Sequence, residues 1–189
     1  LGRLAKGEDW ESVRQALDAL DRKRTVLERM RDRFPGWFGR FVCAHFAPFL
    51  DEPVRTAEQR KAFDTVIEYL DGVTFKLPED LQAYLEETED VLDGDALNKI
   101  NSALAQAVQN PEAYIEENRG IIEQYRAVTA SAEYQESPAG RLQTALKRLL
   151  AEAGYNDVFI PAMRRLSPKY AQYYTALQEA NAAFAKALQ

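Results

Sequence analysis

Three times in this chain a proline directly follows a side chain that caps helices: Asn110-Pro111, Ser137-Pro138 and Ser167-Pro168. Proline has its φ fixed near the helical value and lacks an N–H, so it fits the first helical turn. The Asn or Ser before it can accept from one of the N–H groups that the new helix leaves without a partner. Each pair predicts a helix start. Thr56-Ala57-Glu58-Gln59 matches a capping box, in which the Thr hydroxyl and the Gln side chain serve each other's backbone N–H groups, and Pro78 opens another helix. Asp71-Gly72, Asp93-Gly94 and Gly154 read as stops, where glycine can take the left-handed turn that ends a helix. Between these marks the apolar spacing is helical, as in Ala62, Phe63, Val66, Ile67 and Leu70, or Leu142, Ala145, Leu146, Leu149 and Leu150. Alternation with period two is absent outside the short Val73-Thr74-Phe75. The expected fold is all-α. A long N-terminal helix of coiled-coil type, from about residue 8 to 33, is followed by a compact bundle of about seven helices.

That first helix differs from the rest in its pattern. Val13, Leu17, Leu20 and Leu27 follow the 4-3 spacing of a coiled-coil seam, Arg24 takes the slot between Leu20 and Leu27, and Met30 and Phe34 shift the stripe by one position. About three heptads with a basic interruption do not hold a helix together in water. The segment must pack on its own domain or on a second copy of itself. In the second case Val13, Leu17, Leu20, Leu27 and Met30 form the dimer seam.

A chain of 189 residues suits a single core. Its apolar runs are only a few residues long, against the roughly 20 that a membrane span needs, so no membrane partner and a cytoplasmic location are expected. One cysteine can form neither an internal disulfide nor a multi-thiolate metal site. The net charge of −6 is uneven: residues 1 to 34 hold nine Lys/Arg against seven Asp/Glu, while residues 51 to 100 hold five against fourteen. An acidic middle argues against this chain itself gripping phosphate backbones, which takes a clustered basic face. The start at Leu1, already close to a helical pattern, suggests either a piece of a longer protein or a processed start.

Reactive side chains concentrate in FPGWFGRFVCAHFAPFL, residues 34 to 50, which holds the only histidine, His45, and the only cysteine, Cys43. Helical neighbours two apart point about 200° from each other, so these two cannot form a Cys–His dyad. No ligand-spaced cluster supports a metal at His45, and the acidic run from Glu86 to Asp95 lacks the alternation of a calcium loop; helix-end charge and a turn explain it. No glycine-rich phosphate loop is present. No catalytic residue, metal or cofactor is therefore expected, and the chain does not read as an enzyme. Phe38, Phe41, Val42, His45, Phe46 and Phe49 share a helical face, which makes the stretch a core helix or the wall of an aromatic cavity. As a wall it would offer Trp37, Phe38, Phe41, His45 and Phe49 to a flat or apolar ligand. Tyrosines from other helices would supply further polar groups.

The loop KGEDW followed by VRQALDALDRKRTVLERM resembles the linker helix that follows the winged-helix DNA-binding domain in MerR-family transcription regulators. The next segments, FPGWFGRFVCAHFAPFLDEP and TAEQRKAFDTVIEYLDG, are similar to the helical effector domain of some members. The resemblance covers about residues 1 to 75. It implies a linker and dimerisation helix over 1 to 34 and an effector-binding domain over 35 to 189, working as a homodimer, with DNA contacted only through a domain absent from this chain. The cysteines that metal-sensing members place at the ends of the linker helix are missing, so the implied effector is a small organic molecule. The rival expectation is a helical protein–protein interaction module without a small-molecule site.

Overall fold

The computed structural model describes residues 10 to 187. Helix α1 (Trp10–Arg33) leads through a tight turn into α2 (Gly36–Phe46), which closes with a 3₁₀ turn at Ala47–Phe49. There follow α3 (Ala57–Gly72), α4 (Glu79–Glu87), α5 (Gly94–Gln109), α6 (Pro111–Ala130), α7 (Ala132–Glu136) and α8 (Pro138–Glu152). A π-helical turn at Tyr155–Phe159 then passes into α9 (Ile160–Leu166) and α10 (Pro168–Ala187). The fold is all-α, with no strand among the described residues; Val73-Thr74-Phe75 runs as irregular backbone. Among the described residues nine α-helices follow α1 rather than about seven. The additional pieces are short, like α7 and α9, and a helix of five or seven residues is too brief for apolar periodicity to announce it.

The caps explain where most of these helices begin. Asn110, Ser137 and Ser167 accept from the N–H groups of Ala113, Gly140 and Tyr170, and Thr56 and Gln59 close the reciprocal capping box. Of the three stops, Gly154 takes the left-handed conformation (φ 71°). Gly72 ends α3 without it, and Asp93-Gly94 is not a stop at all. The Asp93 carboxylate accepts from the Ala96 N–H at 2.9 Å, which makes it the N-cap of α5. Gly36, in the turn between α1 and α2, also has a positive φ (50°), and a Cβ there would come within 2.9 Å of Leu85 Cδ2, so both its conformation and the approach of α4 require glycine.

The main core joins the last turns of α1 with α2, α3, the π turn, α9 and α10. At its centre Phe46 packs edge-on to Phe159 (5.3 Å between ring centroids) and against Tyr170 (5.1 Å). Val26, Met30 and Phe34 of the first helical segment lie inside this core. Each such side chain contributes roughly 1.5–3 kcal/mol by leaving water. A second cluster joins α4 to α8 through Leu81, Leu85, Leu142 and Leu146. Helix α2 touches both clusters.

The proposed seam of α1 is divided. Val13 and Met30 are buried within the chain and Leu27 is half-buried. Leu17 and Leu20 point outward at 58% and 60% exposure, with Trp10 exposed on the same side. The shift of the stripe accounts for Met30, though not for Val13, which is buried on the same face that carries Leu17 and Leu20. Ala19, Val26 and Met30 fall on a helical face whose centre lies about 130° from that of Leu17 and Leu20, and this face packs on α2 and α3. Met30 therefore belongs to the chain's own core and offers nothing to a second chain.

Candidate functional site

Helices α2, α4, α8, α7, α6 and α5 form a closed ring, each packed on the next. Within it lies an apolar cavity of about 510 Å³. On one flank of α2, Trp37, Phe38 and Phe41 form a wall, with the Trp37 and Phe38 rings edge-to-face at 6.2 Å. The opposite wall is α8, which presents Leu142, Leu146 and Leu150, together with Ala139, Gln143 and Lys147, at positions i, i+3, i+4, i+7, i+8 and i+11. Such a stripe runs roughly 16 Å along the helix. Tyr84 of α4 and Thr88 at its C-cap, Leu92 of the following turn, Leu97 and Ile100 of α5, and Tyr134 of α7 complete the lining. Its size falls within the range of small-molecule sites, about 300–1,000 Å³.

The turn between α4 and α5 is held in place from the opposite wall. Arg40 on α2 pairs with the Glu89 carboxylate and donates to the carbonyl oxygens of Glu89 (3.1 Å) and Leu92 (3.2 Å). This gives part of the acidic run from Glu86 to Asp95 its structural purpose: Glu89 answers Arg40 and Asp93 caps α5. On the far side, Arg141 of α8 pairs with Asp80 of α4 at 2.5 Å.

Polar groups in the cavity are few. The Thr88 hydroxyl is engaged, donating back to Tyr84 and Leu85 carbonyl oxygens. Trp37 Nε1–H is buried with no acceptor. A buried donor without a partner forfeits about 1–3 kcal/mol, and here it belongs to a side chain that lines the cavity.

Of the five residues proposed as cavity wall, the structure brings Trp37, Phe38 and Phe41 together and leaves His45 and Phe49 outside. All stand on or beside the same helix, but what covers the helix changes along its length. One turn beyond Phe41, α10 closes over α2: the His45 ring lies 5.4 Å from Tyr173, 4.9 Å from Phe46 and 6.1 Å from Phe49. Phe49 is itself buried against Tyr170 and Tyr173. In this apolar shell burial drives the imidazole pKa down to about 4, so His45 is neutral at physiological pH. Cys43 points elsewhere, its Sγ 3.3 Å from the Leu27 carbonyl oxygen, and burial raises its thiol pKa. No nucleophile–base pair forms between them. No three His, Cys, Asp or Glu side chains converge to hold a metal among the described residues.

The far walls could not be placed from the sequence. The stripe Leu142, Leu146, Leu150 looks like any core face, as it is where α4 packs on it, until α5 is seen to stand off from it. The one local hint is Ile100, an isoleucine at 44% exposure within the otherwise amphipathic α5. A second depression, of about 430 Å³ beside Tyr69 and Val73, is flanked by Glu68 and Glu152 and offers a thinner apolar lining. Comparison with protein-family models, with curated protein sequences and with solved structures finds no match for this chain.

Proposed function

We propose that this chain is the ligand-sensing and dimerisation region of a MerR-like transcription regulator, and that it takes a small organic effector into the cavity between α2 and α8. The observation that carries the reading is the cavity itself, aromatic on one side and aliphatic on the other. The connection to α1 supports it. The cavity wall α2 follows α1 after a single tight turn, and Phe34 at that turn contacts both Phe38 of the wall (5.7 Å) and Phe75 of the core (4.7 Å). A ligand that binds two packings of α2 with different affinity would shift the population between them and with it the direction of α1. Trp10, Leu17 and Leu20 then form the outward stripe through which two copies pair. DNA would be met by a domain outside this chain.

Sedimentation and a ligand screen test the two halves separately. The chain is expected to be a dimer that Leu17→Asp with Leu20→Asp converts to a monomer of unchanged helix content; a wild-type chain that remains monomeric at high concentration removes the dimerisation half. In a thermal-shift panel of apolar and aromatic compounds of graded charge, at least one class should stabilise the protein. A blank panel favours the second reading, an interaction module. One observation supports that alternative: Ile121, Tyr125 and Val128 stand exposed on one face of α6, an apolar stripe with no covering helix among the described residues.

A further inference from the structure

The cavity is selective in charge as well as apolar. Among its fifteen lining residues there is no aspartate or glutamate, although acidic residues outnumber basic ones thirty to twenty-four in the chain. The single formally charged lining residue is Lys147, on the α8 wall, and it has no carboxylate partner among the described residues. The remaining polar side chains, Tyr84, Tyr134 and Gln143, can each donate. A cationic guest would find no counter-charge here and would meet the Lys147 ammonium. A neutral hydrocarbon would leave that ammonium as it is. A guest with an apolar body and an anionic end uses both the apolar walls and the Lys147 ammonium.

We propose that the cavity binds an apolar carboxylic acid, its hydrocarbon body between the α2 aromatics and the α8 leucines and its carboxylate held by Lys147. This inference rests on the reading of the cavity as an effector site. Lys147 is on the surface side of α8, so the charged end remains near water and the body takes the apolar interior. That is the arrangement with the least desolvation cost for a carboxylate.

Three probes with one ten-carbon chain, each kept below its micelle concentration, separate the possibilities by isothermal titration: decanoate, decan-1-ol and decyltrimethylammonium. Decanoate should bind tightest. Lys147→Met, an exposed change that leaves the fold intact, should weaken decanoate about fivefold and leave decanol unchanged, and Lys147→Glu should weaken decanoate further while improving the ammonium probe. Ile100→Trp, which places an indole in the cavity from a half-exposed position, should abolish binding of all three. In a Trp10→Phe background, decanoate should also change the emission of Trp37. Decanol or the ammonium binding as tightly as decanoate, or decanoate indifferent to Lys147→Glu, would overturn the acid assignment and leave the sensing proposal standing. Decanoate binding unaffected by Ile100→Trp would put the site elsewhere and overturn the assignment too. A complete absence of binding, together with a blank thermal-shift panel, overturns both.

Discussion

Gly140 stands in the first turn of α8, where a Cβ would lie 2.1 Å from the Tyr134 carbonyl oxygen, a backbone atom that cannot swing aside. Gly120, in the middle of α6, has open space around its Cβ position. Gly140→Ala should therefore cost about 1–3 kcal/mol as α7 and α8 are forced apart. Gly120→Ala should add about 0.5–1 kcal/mol by relieving the helix of glycine's conformational freedom. Urea denaturation of the two variants checks the opposite signs. His45 sets a prediction in pH. Its folded pKa, about 4, lies below the unfolded value of 6.5, so between those values the unfolded chain binds a proton that the folded chain refuses, and stability falls as pH drops from 6.5 towards 4. The full effect is on the order of 3 kcal/mol. His45→Gln should remove this component: the stability of the wild type relative to the variant should decline by about that amount between pH 7 and pH 4, and a constant difference would mean that the imidazole is not desolvated. Neither residue's role follows from its neighbours in sequence. Gly140 looks like a helix-start glycine, and His45 looks like part of the cavity face until Tyr173 is seen to cover it.

At the scale of the element, α1 and α2 each serve two surroundings. The outward stripe of α1 carries Leu17 and Leu20, and its inward face carries Val26 and Met30, both fully buried. Met30→Ala should cost the folded monomer about 2–5 kcal/mol through the cavity it leaves, whereas Leu17→Ala should leave the monomer's stability within about 0.5 kcal/mol. Denaturation below the dimer dissociation constant separates the two effects. The 4-3 pattern was legible in the sequence, but it could not show which leucines face the chain's own core, because a seam and a core face draw on the same side chains. Helix starts were more legible than stops. A cap is a local hydrogen bond between residues three apart, as at Ser137, and the sequence contains both partners. A stop depends on what the chain does next, and at Asp93-Gly94 the aspartate caps the following helix. The connection between α4 and α5 adds a test of its own. Arg40→Met should release the Glu89 and Leu92 carbonyl oxygens, cost about 1–2 kcal/mol, and speed amide hydrogen exchange across residues 88 to 93.

Over the whole molecule, a small apolar cluster (Leu81, Leu85, Leu142, Leu146) sits beside a larger aromatic core, with α2 shared between them and the cavity on its flank. The all-α class was readable because it is the sum of local signals. The ring was not, since it depends on α5, α6 and α7 carrying the chain around α8, and nothing in the apolar spacing of one helix encodes its distance from another. The consequence for function is that the outward stripe of α1 and the cavity are joined by one path of contacts, from Leu17 and Leu20 along α1 to Phe34, and from Phe34 to Phe38 on the cavity wall. If occupancy changes the packing of α2, thermodynamic linkage makes the effect reciprocal: saturating ligand must change the dimer dissociation constant by the same factor by which dimerisation changes the ligand's. A coupling of about 1–3 kcal/mol, roughly 5- to 150-fold, is expected. With decanoate as the probe, sedimentation with and without ligand gives one factor, and titration well above and well below the dimer dissociation constant gives the other. Equal factors different from one would establish that α1 and the cavity report on each other. Two factors of one, in a protein that both dimerises and binds, would mean that α2 is a rigid wall and that any signal leaves the cavity by another route, for which the exposed stripe of α6 is the nearest candidate.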